Sequence, residues 1–171
     1  MTMRKGLCLL LCLLLPLSAL AGETLNVQPS FTPAVYPLAD WGVSLSLPED
    51  WSPLELLSED TDRGVVFAAA DATANTNLTV TALTLDGEGD IAAAQALLEA
   101  QADSQDIEPV TLGDLTYLAY NREQAEEFGF LLPLDGGVAL DFRFACSPED
   151  ADALGTLPLE IIAAVRLEDA D

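Results

Sequence analysis

Tyr36–Trp51 reads YPLADWGVSLSLPEDW, and its pattern decides the fold class. Val43, Leu45 and Leu47 alternate with Gly42, Ser44 and Ser46, the period of a strand with one buried face. Pro48 has no N–H to give a sheet ladder, so the strand ends there. Asp50 and Trp51 turn the chain back, and the indole is large enough to anchor that turn on a core. The segments that follow read as the rest of one small antiparallel sheet with two helical segments.

Working outward, Leu54–Leu57 reads as a hairpin partner ending in the acidic turn Ser58–Asp62. Gly64–Ala70 and Asn77–Leu85 form a second hairpin around the polar loop Asp71–Thr76. Asp90 is placed to cap a helix from Ile91 to about Ser104, with Ile91, Ala94, Leu98 and Ala102 on one face. Ile107–Leu112, Leu115–Arg122 and Glu126–Leu134 read as strands. Asp135-Gly136-Gly137 is a tight-turn signal, because glycine accepts positive φ. Val138–Cys146 is the clearest central strand: Val138, Leu140, Phe142 and Phe144 share one face, and Ala139, Asp141, Arg143 and Ala145 the other. Ser147-Pro148-Glu149-Asp150 opens a helical turn with Ser147 as its cap. Pro158 interrupts it, and a last helix, Pro158–Val165, buries Leu157, Ile161 and Val165.

The first 21 residues stand apart. Arg4 and Lys5 precede a leucine-rich run, Pro16 breaks it, and Ala19-Leu20-Ala21 offers small residues where a signal peptidase reads. The run is shorter than the roughly 20 apolar residues needed to span a bilayer. Cys8 and Cys12 lie inside it rather than at the cleavage point, which argues against a lipoprotein. The expected partition is a signal peptide over 1–21, an extended linker over 22–34, one domain over 35–167 and an acidic tail over 168–171.

Cleavage before Gly22 removes all lysine and leaves Arg63, Arg122, Arg143 and Arg166 against 29 acids, a net charge of −25. Such a surface repels nucleic acid and anionic membrane, attracts cations or a basic partner, and keeps the chain monomeric and soluble. Cys146 alone survives, so the domain is held by its core rather than by disulfides. Ending an apolar strand, Cys146 reads as a small buried hydrophobe, with a reactive thiol as the alternative.

The order of a Trp–Gly–strand–Pro–Asp–Trp opening (residues 41–51), hairpins, a capped helix and a C-terminal helix after Phe144-Ala145-Cys146-Ser147-Pro148-Glu149-Asp150 resembles the PsbP-like family. That family is named for the extrinsic photosystem subunit and includes exported, DcrB-like bacterial proteins. The resemblance covers Val35 to Leu167. It implies an α+β fold, a central antiparallel β-sheet flanked by helices in an α/β/α sandwich, and a non-enzymatic role in binding or assembly. Metal roles proposed for the photosystem subunit lean on histidine, and this chain has none, so no metal ligand carries over.

The absence of histidine removes imidazole bases and the usual nucleophilic dyads, and a single mature cysteine removes thiolate clusters. Carboxylates remain. Asp86, Glu88 and Asp90 alternate like the start of a calcium loop, but Ile91 stands where the sixth-position glycine belongs and Leu97 where the twelfth-position acid belongs. They are the candidate metal ligands, set against a plain acidic turn that caps a helix. Asp141 and Arg143 form a half-buried ion pair if a helix covers their face, and are rim residues if none does. Trp41 and Trp51 read as core anchors, whereas an exposed Trp41 would mark a binding surface. No catalytic residue and no cofactor are expected. The favoured function is an exported, non-catalytic module binding an unknown protein or envelope component. The alternatives are an acidic, calcium-responsive domain and a carboxylate-only hydrolase.

Overall fold

The computed structural model describes residues 24–87, 89–122, 125–147 and 150–168; the expected leader, 1–21, lies outside them. The strands are β1 (Thr24–Leu25), β2 (Pro33–Leu38), β3 (Val43–Pro48), β4 (Ser52–Pro53), β5 (Val65–Ala70), β6 (Thr76–Thr84), β7 (Gln105–Leu112), β8 (Leu115–Arg122), β9 (Glu127–Leu134), β10 (Val138–Cys146) and β11 (Arg166–Leu167). The helices are α1 (Ser58–Asp62), α2 (Ile91–Ala100), α3 (Ala151–Leu154) and α4 (Leu157–Ala163).

The described residues form two sheets rather than the single small one expected. The larger has eight strands in the order β1-β7-β8-β9-β10-β6-β5-β4, and the smaller has the order β11-β3-β2. The opening strand therefore belongs to the small sheet, with Val43, Leu45 and Leu47 fully buried. Alternation within β3 reports a buried face but carries no address for the partner strand, so the second sheet is not legible in the sequence.

The large sheet is the middle layer. One face carries Tyr117, Phe130, Leu140, Phe142 and Phe144, and packs with β3 and with Ile161, Ile162 and Val165 at the C-terminal end. Phe128 stacks on Phe144 at 5.3 Å, and Phe130 meets Tyr117 edge-on, the offset and T-shaped geometries that ring quadrupoles favour. Tyr117 Oη donates to Ile162 O at 3.1 Å, fastening the C-terminal helix to the sheet. The opposite face carries Leu118, Tyr120, Leu131 and Ala139 under Ala94 and Leu98 of α2. Asp90 Oδ1 accepts the Ala93 N–H at 2.8 Å, as an N-cap should.

Several boundaries move. Leu54–Leu57 is not a strand; Ser52 and Pro53 pair with Ala70 and Ala69 instead, and Leu54 adds one bond to Ala68 O. Ser58–Asp62 is a short helix, where Asp60 Oδ2 accepts the Leu57 N–H. The helix after Asp90 stops at Ala100, leaving Ala102 exposed beyond it. The last helix spans Leu157–Ala163, with Val165 buried just past its end. Ser147 Oγ accepts the Asp150 N–H at 3.2 Å, while Pro148 and Glu149 lie outside the described residues.

The stretch expected as a tether is tied down where it is described. Thr24 and Leu25 pair in parallel with Thr111 and Leu112, and Pro33 and Ala34 belong to β2. Between them, the Ser30 N–H and hydroxyl both donate to Glu160 Oε2 at 2.7 Å. At the other margin, the Glu168 N–H bonds to Gly42 O. The sheet edges are blunted: β1, β4 and β11 are two residues long, β2 carries Pro33 and Pro37, and β7 carries Pro109 and a register shift between Gln105 and Glu108.

Candidate functional site

On the α2 side of the large sheet, the polar residues of four neighbouring strands are brought together by register. Tyr120, Gly129, Arg143 and Thr79 are successive partners across β8, β9, β10 and β6. The adjacent row runs Arg122, Glu127, Ala145 and Asn77, and the row behind runs Leu118, Leu131, Asp141 and Thr81. Each strand contributes alternate residues, so one face of a meander collects them all.

Asp141 is the buried centre, 3% exposed. Tyr120 Oη donates to its Oδ1 at 2.6 Å. Arg143 Nε lies 3.1 Å from its Oδ2 but is not aligned to donate, so the two attract as charges without a hydrogen bond. Burial pushes the Asp141 carboxyl above its ordinary range, against the pull of Arg143 and of the Tyr120 hydroxyl. Burial, reinforced by that carboxylate, raises the Tyr120 phenol far above neutrality, so it stays a donor. Arg143 Nη2 donates to Thr81 Oγ1 at 3.0 Å, and Nη1 is 3.9 Å from Glu127 Oε2. Arg122 donates from Nε to Asp103 Oδ2 at 2.9 Å and from Nη1 to Glu127 Oε2 at 2.8 Å. This clamps the turn after α2 to the sheet, and the bond from Arg122 holds the Asp103 carboxyl below its usual range.

Beside Arg143 the face opens into a cavity of about 270 Å³, lined among others by Arg63, Asn77, Thr79 and Glu127. Arg63, 71% exposed, is itself paired with Asp60 at 2.7 Å. Three of the four arginines expected in the mature chain thus gather on one face, each beside a carboxylate.

Of the candidate metal ligands, Asp86 is exposed and Asp90 is engaged in capping α2; Glu88 lies outside the described residues. Asp141 and Arg143 form the half-buried ion pair, one of the two arrangements expected, with Asp141 buried and Arg143 25% exposed on its side chain. Trp41 is half-buried against the core rather than exposed, and Trp51 is buried. Cys146 is half-buried, and burial together with nearby Asp150 and Glu126 raises its thiol, which disfavours the reactive thiolate. Tyr120 and Arg122 carry no signal of their own in the sequence. Their i, i+2 spacing mirrors that of Asp141 and Arg143, and a meander through β9 makes the two pairs meet.

No protein-family model matches the chain, and no curated protein sequence does. Solved structures do. The solution structure of cyanobacterial PsbP (CyanoP) from Synechocystis sp. PCC 6803 superposes with a TM-score of 0.57 at 13% identity, over 85% of this chain and 98% of that one. The fold is PsbP-like. A crystal structure from Bacteroides thetaiotaomicron VPI-5482 gives a TM-score of 0.52 at 14% identity, over 82% of this chain and 50% of that one. LpqN of Mycobacterium tuberculosis, described as involved in cell envelope biogenesis, gives 0.49 at 16%, over 86% of this chain and 100% of that one. At such identities the likeness concerns the fold, and the α+β, PsbP-like architecture is the one implied by residues 41–51 and 144–150. None of the described helices is long and apolar enough to cross a membrane.

Proposed function

We propose that this PsbP-like domain is an exported, non-catalytic module that binds a basic protein of the cell envelope. The observation that carries the reading is the pairing around Asp141. Tyr120, Arg143, Arg122, Asp103 and Glu127 are engaged with one another, an arrangement that stiffens a sheet face. A general acid or base needs instead a group turned toward substrate with its proton free to move. Export is inferred from the leader-like residues 1–21, and the choice of a basic partner from the net charge of −25 left after cleavage. Fold likeness by itself is compatible with many functions.

The test is affinity capture from envelope extract of the source cells, using the mature chain as bait and quantitative mass spectrometry. One basic protein enriched above an equally acidic control bait is the expected result. Indistinguishable recoveries from the two baits would sink the proposal.

A further inference from the structure

Opposite the ionic face, Phe31, the turn after β3, the turn between β5 and β6 and the C-terminal helices line an open groove of about 430 Å³. Half of its lining is apolar, including Phe31, Trp51 and Leu154, and Asp50, Asp71 and Asp150 also line it. No arginine or lysine is among the lining residues. Each base among the described residues is engaged elsewhere: Arg63 with Asp60, Arg122 with Asp103 and Glu127, Arg143 with Asp141, and Arg166 with the carbonyls of Ala163 and Val165.

The three aspartates differ in what they do locally. Asp71 accepts the N–H groups of Asn75 and Thr76 and the Thr73 hydroxyl, which shapes the β5–β6 turn. Asp150 accepts the Ser147 hydroxyl. Asp50 is exposed and makes no hydrogen bond within the described residues. Hydrogen bonds to neutral donors leave the carboxylate charge in place, so three negative charges share one groove that no basic side chain among the described residues lines. The volume is large enough to admit one long side chain.

We infer that this groove takes a lysine or arginine side chain from an apolar-flanked segment of the partner protein. The methylene stem would lie along Phe31, Leu154 and Leu157 while the charged head meets Asp50 and Asp150. The inference rests on the binding-module reading and names where the partner docks. A long cationic side chain satisfies both halves of the lining; an acidic or wholly apolar side chain satisfies one at most.

The probe is a fluorescein-labelled peptide alternating leucine and lysine, followed by fluorescence anisotropy. Peptides with glutamine or glutamate in place of lysine, and an oligolysine of equal length, are the comparators. The leucine–lysine peptide binds tightest. Asp50→Asn weakens it by about threefold to tenfold, and Ala153→Trp, which fills the groove, by at least about tenfold. Should Ala153→Trp fail to fold, Asp50→Asn decides alone.

Equal binding of oligolysine, or affinities unchanged in a folded variant, would reduce the effect to long-range charge and overturn the inference. Peptide-independent self-association that Ala153→Trp abolishes would make the occupant a second copy and overturn it equally. Capture from envelope extract separates the two levels. A partner held equally by wild type and by Asp50→Asn removes the groove and keeps the module; a peptide that binds the groove while extract yields no partner does the reverse.

Discussion

Gly129 faces the ring of Tyr120 across the β8–β9 pair so closely that a Cβ at Gly129 would lie 2.5 Å from the ring carbons Cε1 and Cζ. Real carbons do not approach to that distance, so the missing side chain is what lets the phenol lie flat on the sheet and reach Asp141. Gly129→Ala is expected to cost about 1–3 kcal/mol through overpacking. In a Tyr120→Leu background the same change should cost distinctly less, because the ring it strikes is gone. Urea denaturation of the four proteins in that cycle measures the coupling, and additive losses would refute the contact.

Tyr120→Phe removes the donor held 2.6 Å from Asp141 Oδ1 and leaves a buried carboxylate short of a partner. A loss of about 1–3 kcal/mol at neutral pH is expected. Because burial raises the folded-state pKa of Asp141, the native protein holds that proton more firmly than the unfolded chain. Its contribution therefore improves as pH falls through the folded-state pKa toward the unfolded one. The Tyr120 bond favours the ionised form, so the deficit of the variant should shrink in acid. Denaturation curves across pH test this, and a deficit that grows in acid would contradict it.

Glu160 titrates with the opposite sign. The Ser30 hydroxyl and N–H, with the Thr156 hydroxyl, hold its carboxyl below the ordinary value of 4.5. The stability it contributes is complete above that ordinary value and is lost as pH falls through the folded-state pKa. Glu160→Gln is expected to be less stable than wild type by about 1–3 kcal/mol at neutral pH. The two denaturation midpoints should converge in acid. The same variant should free the chain around Ser30 to faster amide exchange.

Asp90→Ala deletes the cap on α2, a loss of about 0.5–2 kcal/mol. Since Asp90 Oδ1 is engaged with the Ala93 N–H, calcium, magnesium and sodium at equal ionic strength should raise the melting temperature of the wild-type protein alike, by screening. A rise specific to calcium would favour the acidic, calcium-responsive reading instead.

Much of the fold is legible in the sequence because alternation and turn chemistry are local. Leu115–Arg122 and Val138–Cys146 coincide with β8 and β10, and Asp135-Gly136-Gly137 joins β9 to β10 with both glycines at positive φ. Pairings formed by one or two residues leave no periodicity, so β1, β4 and β11 escape a sequence reading and Leu54–Leu57 suggests a strand it does not form. At the site, Asp141 and Arg143 stand out through their spacing, whereas Tyr120 and Gly129 acquire meaning only once β8 and β9 are in register. The groove at Phe31, Trp51 and Leu154 joins residues more than 120 positions apart, a separation that no window of sequence spans.

The blunted margins of both sheets restrict the ways in which another chain can attach. Proline at positions 33, 37 and 109 withholds amide donors along β2 and β7, and two-residue strands close part of the remaining border. An incoming extended peptide would find few consecutive backbone groups to pair with, so adding a strand is a poor way to join this molecule. Recognition is left to side chains meeting side chains, which makes the identity of individual residues on the visitor matter more than its propensity to extend. The same closure keeps the folded chain from templating its own fibres at high concentration.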